Sequence, residues 1–433
     1  MKQTELLFFF DTEDFTCDLS QTAAMRLADI CTEEGVTGHF AVVGRAAEYM
    51  RATGRTDVIA ALKRHEIGSH TWAHTVHPDI CELTDCADFD EAYRRVSEQE
   101  GHAIDVIKEV FGLGELIFAV PPGNAKSYAA MYYYADAGIP FYCDTVVCDA
   151  QGTDTRCVNA MHIEYNQSVE EIAFGGSVEA ALNQYAGRDR VIIYTHPNMA
   201  YFSEFWDALN FGHANLHDEG DYVMARRRTE EETARYFDTF RRILRAAKAD
   251  PRSRMPTLRE ILAAQQPAQP VTRRDIPAIA AALRADYAPI WERRLCLYDV
   301  FRAAASFLCG ADAYLPGKAY GLLSASHELE YPVRLRVDSI RRAAAALPRE
   351  GFLPSAVQVD GITLGVGDML YAMLAALDAT EGEITLAPHP PMTFLNRYPQ
   401  LRDMALRGTW MHTPEFRDDF ISKRMRLQAY TIC

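Results

Sequence analysis

The chain has 433 residues, 48% of them apolar and 24% charged, the balance of an ordinary globular protein and not of a disordered or fibrous one. Lysine and arginine total 44 against 60 acidic residues, giving a formal charge of -16. This excludes a broad nucleic-acid or anionic-membrane surface, which needs concentrated positive charge, and no run approaches the roughly 20 apolar residues needed to span a bilayer.

At the N-terminus, residues 6–10 (LFFF preceded by a leucine) are interrupted by Asp11, too soon for a secretory signal core. The 10 cysteines are scattered without a CxxC pair, so reduced thiols in a cytoplasmic protein are expected. Candidate strands follow at 6–10, 38–43, 116–120, 140–143 and 190–195. Candidate helices fall between them at 22–34, 57–65, 90–111 and 125–137, with another at 229–249. This alternation predicts an α/β fold with a parallel sheet, open or closed into a barrel. Chemistry in such folds gathers at the C-terminal ends of strands, and the polar clusters lie there.

The polar, proline-containing run QQPAQP near residue 265 reads as a linker. It divides the chain into a first domain at 1–264, a linker at 265–275 and a smaller, mostly helical accessory domain at 276–433. In the latter, helices are expected at 276–285, 291–309, 339–347 and 368–377, with a hairpin at 357–364 turning on Asp360-Gly361.

Four constellations carry candidate chemistry. FFFDTEDF ends a strand in Asp11, Glu13 and Asp14. Carboxylates this crowded need a cation, a basic side chain or solvent to neutralise them. In EIGSHTWAHTVHP, His70 and His74 stand at i and i+4, which on a helix puts both imidazoles one turn apart and able to share a divalent metal. His77 is a third candidate. Two histidines and a carboxylate would leave the open coordination position that a catalytic metal requires. FAVPPGN is a strand broken by a rigid turn, and VIIYTHP places His196 at another strand end. An imidazole there can protonate a leaving amine. Trp206, Phe211, His213 and His217 follow and either cap a cleft or pack.

In this order the motifs resemble the polysaccharide deacetylase family, the NodB-homology carbohydrate esterases, over about residues 5–260. EIGSHTWAH is the most specific part, similar to the family's metal-binding histidine segment. GHFAVVGRAAE, AVPPGN, Cys143-Asp144-Thr145 and IIYTHP resemble its other motifs. The resemblance implies a distorted (β/α) barrel with a divalent metal, zinc foremost, at its mouth. It implies Asp11 as catalytic base, His196 as general acid, His70 and His74 as metal ligands, and Pro122, Gly123 and Asp144 beside the substrate. The carboxylate ligand stays open between Glu13 and Asp14; residues i and i+2 share a side of a strand, which favours Glu13. The family's turn carries an arginine that orients the base, and here that position is Ala119.

The implied activity is metal-dependent hydrolysis of an N-acetyl group on an amino-sugar-containing glycan or precursor. The alternatives are a catalytically impaired NodB-like glycan-binding protein and an allantoinase-like hydrolase of a non-sugar amide. Residues 339–380 more weakly resemble a pseudomurein-binding-type repeat, a wall-binding module or else a structural or homo-oligomerisation appendage.

Overall fold

The computed structural model describes residues 3–123, 125–143, 147–148, 152–212, 217–286, 294–389, 397–407 and 409–433. They form two compact units. The first comprises Met1–Asp154, Ala160–Gln265 and Ala405–Ile421; the second comprises Thr155–Asn159, Gln266–Met404 and Ser422–Cys433. No helix among the described residues is long and apolar enough to cross a membrane.

The first unit runs β1 (Thr4–Thr12), α1 (Asp18–Glu34), β2 (His39–Val42), α2 (Gly44–Ala52), α3 (Thr56–Leu62), β3 (Glu66–Ser69), α4 (Ile80–Thr84), α5 (Phe89–Phe111), β4 (Phe118–Ala119), α6 (Tyr128–Asp136) and β5 (Phe141–Cys143). β6 (Thr155–Cys157) belongs to the second unit. The first unit resumes with β7 (Ala160–Ile163), β8 (Tyr165–Ser168), α7 (Val169–Phe174), α8 (Val178–Gln184), β9 (Arg190–Thr195), α9 (Trp206–Phe211), α10 (Glu230–Ala249), β10 (Ser253–Arg254) and α11 (Leu258–Ala263).

Its parallel sheet has the order β7-β5-β4-β3-β2-β1-β9-β8, with β10 added at the start of β1. β7 and β8 lie at opposite ends of this order, yet only Glu164 separates them in the chain. The sheet must therefore curl until its two edges meet, and the bent β7–β8 segment closes it. The fold is a distorted (β/α) barrel, the closed form of the parallel sheet expected from the alternation and the form the family resemblance implies.

Period-two alternation on β1 sets the two sides of this wall. Leu7 and Phe9 enter the inner core with Ile117, Phe118, Phe141, Met161 and Ile192. Phe8 and Phe10 point outward, where both meet Phe240 of α10 edge-on at 6.3 and 5.5 Å. Each fully buried phenylalanine contributes about 1.5–3 kcal/mol. α10 begins at a Thr229/Glu232 capping box and buries Tyr236, Phe237, Phe240, Ile243 and Leu244, a helical stripe. On β3, Gly68 lies against Phe118, whose ring leaves no room for a Cβ.

In the second unit, β11 (Val271–Thr272) pairs antiparallel with β12 (Ala313–Tyr314), and β13 (Val333–Arg336) with β16 (Glu383–Leu386). The helices are α12 (Ile276–Asp286), α13 (Leu297–Leu308), α14 (Val337–Ala346) and α15 (Val366–Asp378). The hairpin of β14 (Val357–Val359) and β15 (Ile362–Leu364) turns on Asp360 and Gly361 at φ 52° and 79°. Two positive φ values at this pair are those of a type I′ turn, which the Asp-Gly sequence favours.

Candidate active site

Strand register collects the site residues at one end of the barrel. Phe10 pairs with Thr195, so Asp11 and His196 follow at the same level on neighbouring strands. Val42 pairs with both Thr12 and Ser69, which brings His70 out one residue above β3. Leu7 and Phe9 face inward, and the same alternation turns Asp11 and Glu13 inward. All five of Asp11, Glu13, His70, His74 and His196 line one cavity of about 530 Å³.

The Glu13 carboxylate meets both imidazoles. Its Oε2 lies 3.0 Å from His74 Nε2 and 3.6 Å from His70 Nε2. Each histidine is held from behind. His70 Nδ1 lies 3.0 Å from the Val120 carbonyl, which can only accept, so the proton sits on Nδ1 and Nε2 keeps a lone pair. His74 Nδ1 lies 3.3 Å from Asp207 Oδ2 on α9. Carbonyl and carboxylate backing of this kind fixes the tautomer of metal-binding histidines. His70 Nε2 is buried without a hydrogen-bond partner. Two ligand atoms about 2.0–2.1 Å from a tetrahedral zinc stand about 3.3–3.4 Å apart, so the observed spacings fit a shared cation. Burial works against the charge on Glu13, but His74 and His70 outweigh it and hold the carboxyl well below its usual range. Burial likewise opposes the charge on His74, while Glu13 and Asp207 raise it to about 10.

The expectation that His70 and His74 share a helix is corrected. Residues 70–79 are an irregular loop. Thr71 and His74 take the left-handed conformation at φ 68° and 55°, and the Thr71 hydroxyl accepts the His74 N–H at 3.2 Å. Such positions cost of order 1–3 kcal/mol each and persist where the surroundings enforce them. The two rings meet at 4.7 Å by loop strain and not by helical periodicity. Asp14 is turned elsewhere: its carboxylate accepts from Thr16 at 2.7 and 2.6 Å and from the Ser20 hydroxyl. Geometry therefore brings Glu13, and not Asp14, to the histidines. His77 pairs with Glu82 at 2.8 Å, away from Glu13.

Asp11 and His196 flank this trio. Asp11 Oδ2 lies 3.7 Å from His196 Nε2 and 4.0 Å from His70 Nε2, and its Oδ1 accepts the Tyr165 hydroxyl at 2.7 Å. Burial pushes the Asp11 carboxyl above its usual value despite both histidines. Glu170, at the start of α7, accepts the His196 backbone N–H at 3.0 Å and stands 3.6 Å from Nδ1. Burial disfavours the imidazolium of His196, but Glu170, Glu13 and Asp11 raise it to about 10.

Tyr165, Tyr194, Phe205 and Trp410 present rings to the cavity. Gly123 lines it at φ 48°, with a Cβ position 3.5 Å from Trp410 and 3.3 Å from Met411. Pro121, not its neighbour Pro122, reaches the lining. Asp144 and His213 lie outside the described residues. Trp206 and Phe211 are buried and pack edge to face, and Trp206 Nε1 lies 3.3 Å from Glu13 Oε1. Sequence reasoning missed Tyr165, Glu170 and Asp207. The inward series Met161, Ile163, Tyr165 was the available signal for the first; the two carboxylates had none.

No protein-family model and no curated protein matches the chain, so the pseudomurein-type resemblance of 339–380 has no support. Solved structures similar to the chain include peptidoglycan deacetylase PdaC from Bacillus subtilis, at 11% identity and TM-score 0.34, covering 65% of this chain and 96% of that one. A family 4 carbohydrate esterase from Bacillus anthracis has 14% identity and TM-score 0.33, covering 61% and 84%. Puue allantoinase has 12% identity and TM-score 0.38, covering 60% and 89%.

Proposed function

We propose that the chain is a metal-dependent amide hydrolase that removes an N-acyl group, acetyl first among them, from an amino-sugar-containing glycan or precursor. One observation carries this reading: the buried Asp11 carboxylate and the partly buried His196 imidazole flank a Glu-His-His trio with ligand spacing, all on one cavity. Glu13, His70 and His74 would hold the cation, Zn²⁺ being well suited to two imidazoles and a carboxylate. Bound there, it would act as a Lewis acid on the acyl oxygen and make water more acidic.

The protein's own groups then divide the proton work. Asp11, buried and oriented by Tyr165, accepts the proton of the attacking water. His196, kept protonated by Glu170, delivers a proton to the departing amine, without which nitrogen is a poor leaving group. Trp206 and the Val120 carbonyl hold Glu13 and His70 in place. The Tyr165, Tyr194, Phe205 and Trp410 rings offer apolar faces for a sugar ring, supporting a glycan over a smaller amide.

The test uses purified full-length protein, stripped with EDTA and reloaded with Zn²⁺ or Co²⁺. Metal-dependent acetate release from an N-acetylated oligosaccharide supports the proposal. Turnover confined to small linear or cyclic amides would move the reading to an allantoinase-like hydrolase. Glycan binding without turnover on any of them would leave a binding protein.

A further inference from the structure

Apart from the candidate active site, Asp79, Cys81 and His412 bring one ligand atom each within 4.8 Å of one another. All three residues are buried, Asp79 at 1% and His412 at 3% exposure. The peptide carrying His412 belongs to the Ala405–Ile421 segment of the first unit.

The local bonding leaves two acceptors facing each other. Asp79 caps α4 through Oδ1, which accepts the Cys81 and Glu82 N–H groups at 2.7 and 3.0 Å. Its Oδ2 is buried with no hydrogen-bond partner. His412 Nδ1 lies 3.0 Å from the Leu406 carbonyl and also contacts the Thr409 hydroxyl. A carbonyl only accepts, so Nδ1 carries the proton, and in the neutral ring Nε2 presents a lone pair. That Nε2 is also without a hydrogen-bond partner and lies 3.3 Å from Asp79 Oδ2. Two buried lone pairs at that distance repel unless a proton or a cation lies between them.

We propose that Asp79, Cys81 and His412 form a second, structural site for a divalent transition metal of the zinc class. The 3.3 Å between Nε2 and Oδ2 matches the spacing of two ligands on one tetrahedral ion, about 3.3–3.4 Å. The thiol makes the set soft, which favours zinc-like ions over magnesium or calcium. Charge balances: the thiolate and the carboxylate cancel a 2+ ion, leaving a buried site with no net charge. On binding, the Cys81 S–H gives its proton to solvent as the sulfur–metal bond forms. The ion would tie Ala405–Ile421 to α4, and so fix Trp410, two residues from His412, at the cavity wall.

This site does not depend on the proposed hydrolase activity, and its test separates the two. Glu13, His70 and His74 contain no sulfur, so after EDTA treatment and reconstitution of the full chain with Co²⁺, a thiolate-to-cobalt charge-transfer band in the near ultraviolet cannot come from that trio, and its loss in Cys81→Ser assigns it to Cys81 among the 10 cysteines. The expected result is that band in the parent protein, its loss in Cys81→Ser, and metal content one equivalent lower in both Cys81→Ser and His412→Ala. Absence of the band from the reconstituted parent protein overturns the proposal whatever the variants do. Unchanged metal content in both variants also overturns it, leaving Asp79 and His412 as a buried, proton-bridged pair.

Discussion

Tyr165 on β8 donates its hydroxyl to Asp11 Oδ1 at 2.7 Å. Ala119, where the resembled family has its base-orienting arginine, is a fully buried position on β4. Here a neutral phenol from another strand reaches Asp11, the proposed base, instead. A phenol fixes the carboxylate as a guanidinium would, but without a full positive charge beside it. This agrees with Asp11 keeping a carboxyl that burial pushes upward.

Tyr165→Phe is therefore expected to lower kcat about 10- to 100-fold, the worth of one hydrogen bond to a charged acceptor, with metal content unchanged. Asp11 must be ionised to accept a proton, so activity falls as pH drops through its pKa. The Tyr165 hydrogen bond lowers that pKa, and its loss moves the acid limb of the pH–rate profile to higher pH. A profile and kcat matching the parent would make the contact incidental.

Much of the barrel was legible because its strands are apolar and its helices carry regular stripes. The FFF run of β1 and the VII run of β9 are buried on both faces, as parallel strands are. β3, β7 and β8 were not legible. Glu66 on β3 is buried beside His39 at 3.2 Å, and Tyr-Asn-Gln-Ser on β8 has no apolar run. Their polar groups are satisfied by partners distant in sequence, Asn166 accepting the Ile192 N–H for example. The i, i+2 argument for Glu13 rested on strand alternation and agrees with its geometry. The i, i+4 argument for the histidines located a real convergence by a mechanism the loop does not use, because spacing says nothing about positive φ at Thr71 and His74.

In the proposed reaction, Glu170 and His196 should set the alkaline limb. His196 donates a proton in the proposed reaction, so activity is lost as pH rises through its folded pKa. Glu170 raises that pKa, and Glu170→Gln should lower it, moving the alkaline limb of kcat/KM to lower pH while the acid limb stays in place. Both limbs coinciding with those of the parent protein would rule out Glu170 as the residue keeping His196 charged.

The proposed metal trio is tested by separating Glu13 from its neighbour Asp14. Glu13→Gln should lose the cation, as His70→Ala and His74→Ala should, because two remaining ligands hold zinc poorly. Asp14→Asn should retain it and lose stability instead, since Thr16 and Ser20 are bonded to that carboxylate. Asp207→Asn, acting through His74 Nδ1, should weaken metal affinity about 10- to 100-fold. Metal content one equivalent below the parent checks the Glu13, His70 and His74 variants, a chelator competition titration checks Asp207→Asn, and the urea midpoint checks Asp14→Asn; metal content equal to the parent's in Glu13→Gln would sink the assignment.

The segment Ala405–Ile421 makes a final prediction about where the first unit ends. Division at residue 265 leaves it behind, yet it packs within the barrel unit. Asp85, just after α4, accepts the backbone N–H groups of Asp419, Phe420 and Ile421 at 2.8, 2.7 and 3.2 Å. Glu82 accepts that of Thr413 at 3.1 Å. One carboxylate with three backbone donors is a strong local anchor, and removing it strands those donors. Asp85→Ala in the full chain should cost about 1–3 kcal/mol, read as a lowered urea midpoint. It should also raise KM, because Trp410 at the cavity wall is carried on the same segment. A fragment of residues 1–265 should show the larger loss of both stability and substrate binding. If that fragment matches the full chain in metal binding, urea midpoint and KM, Ala405–Ile421 contributes nothing to the site.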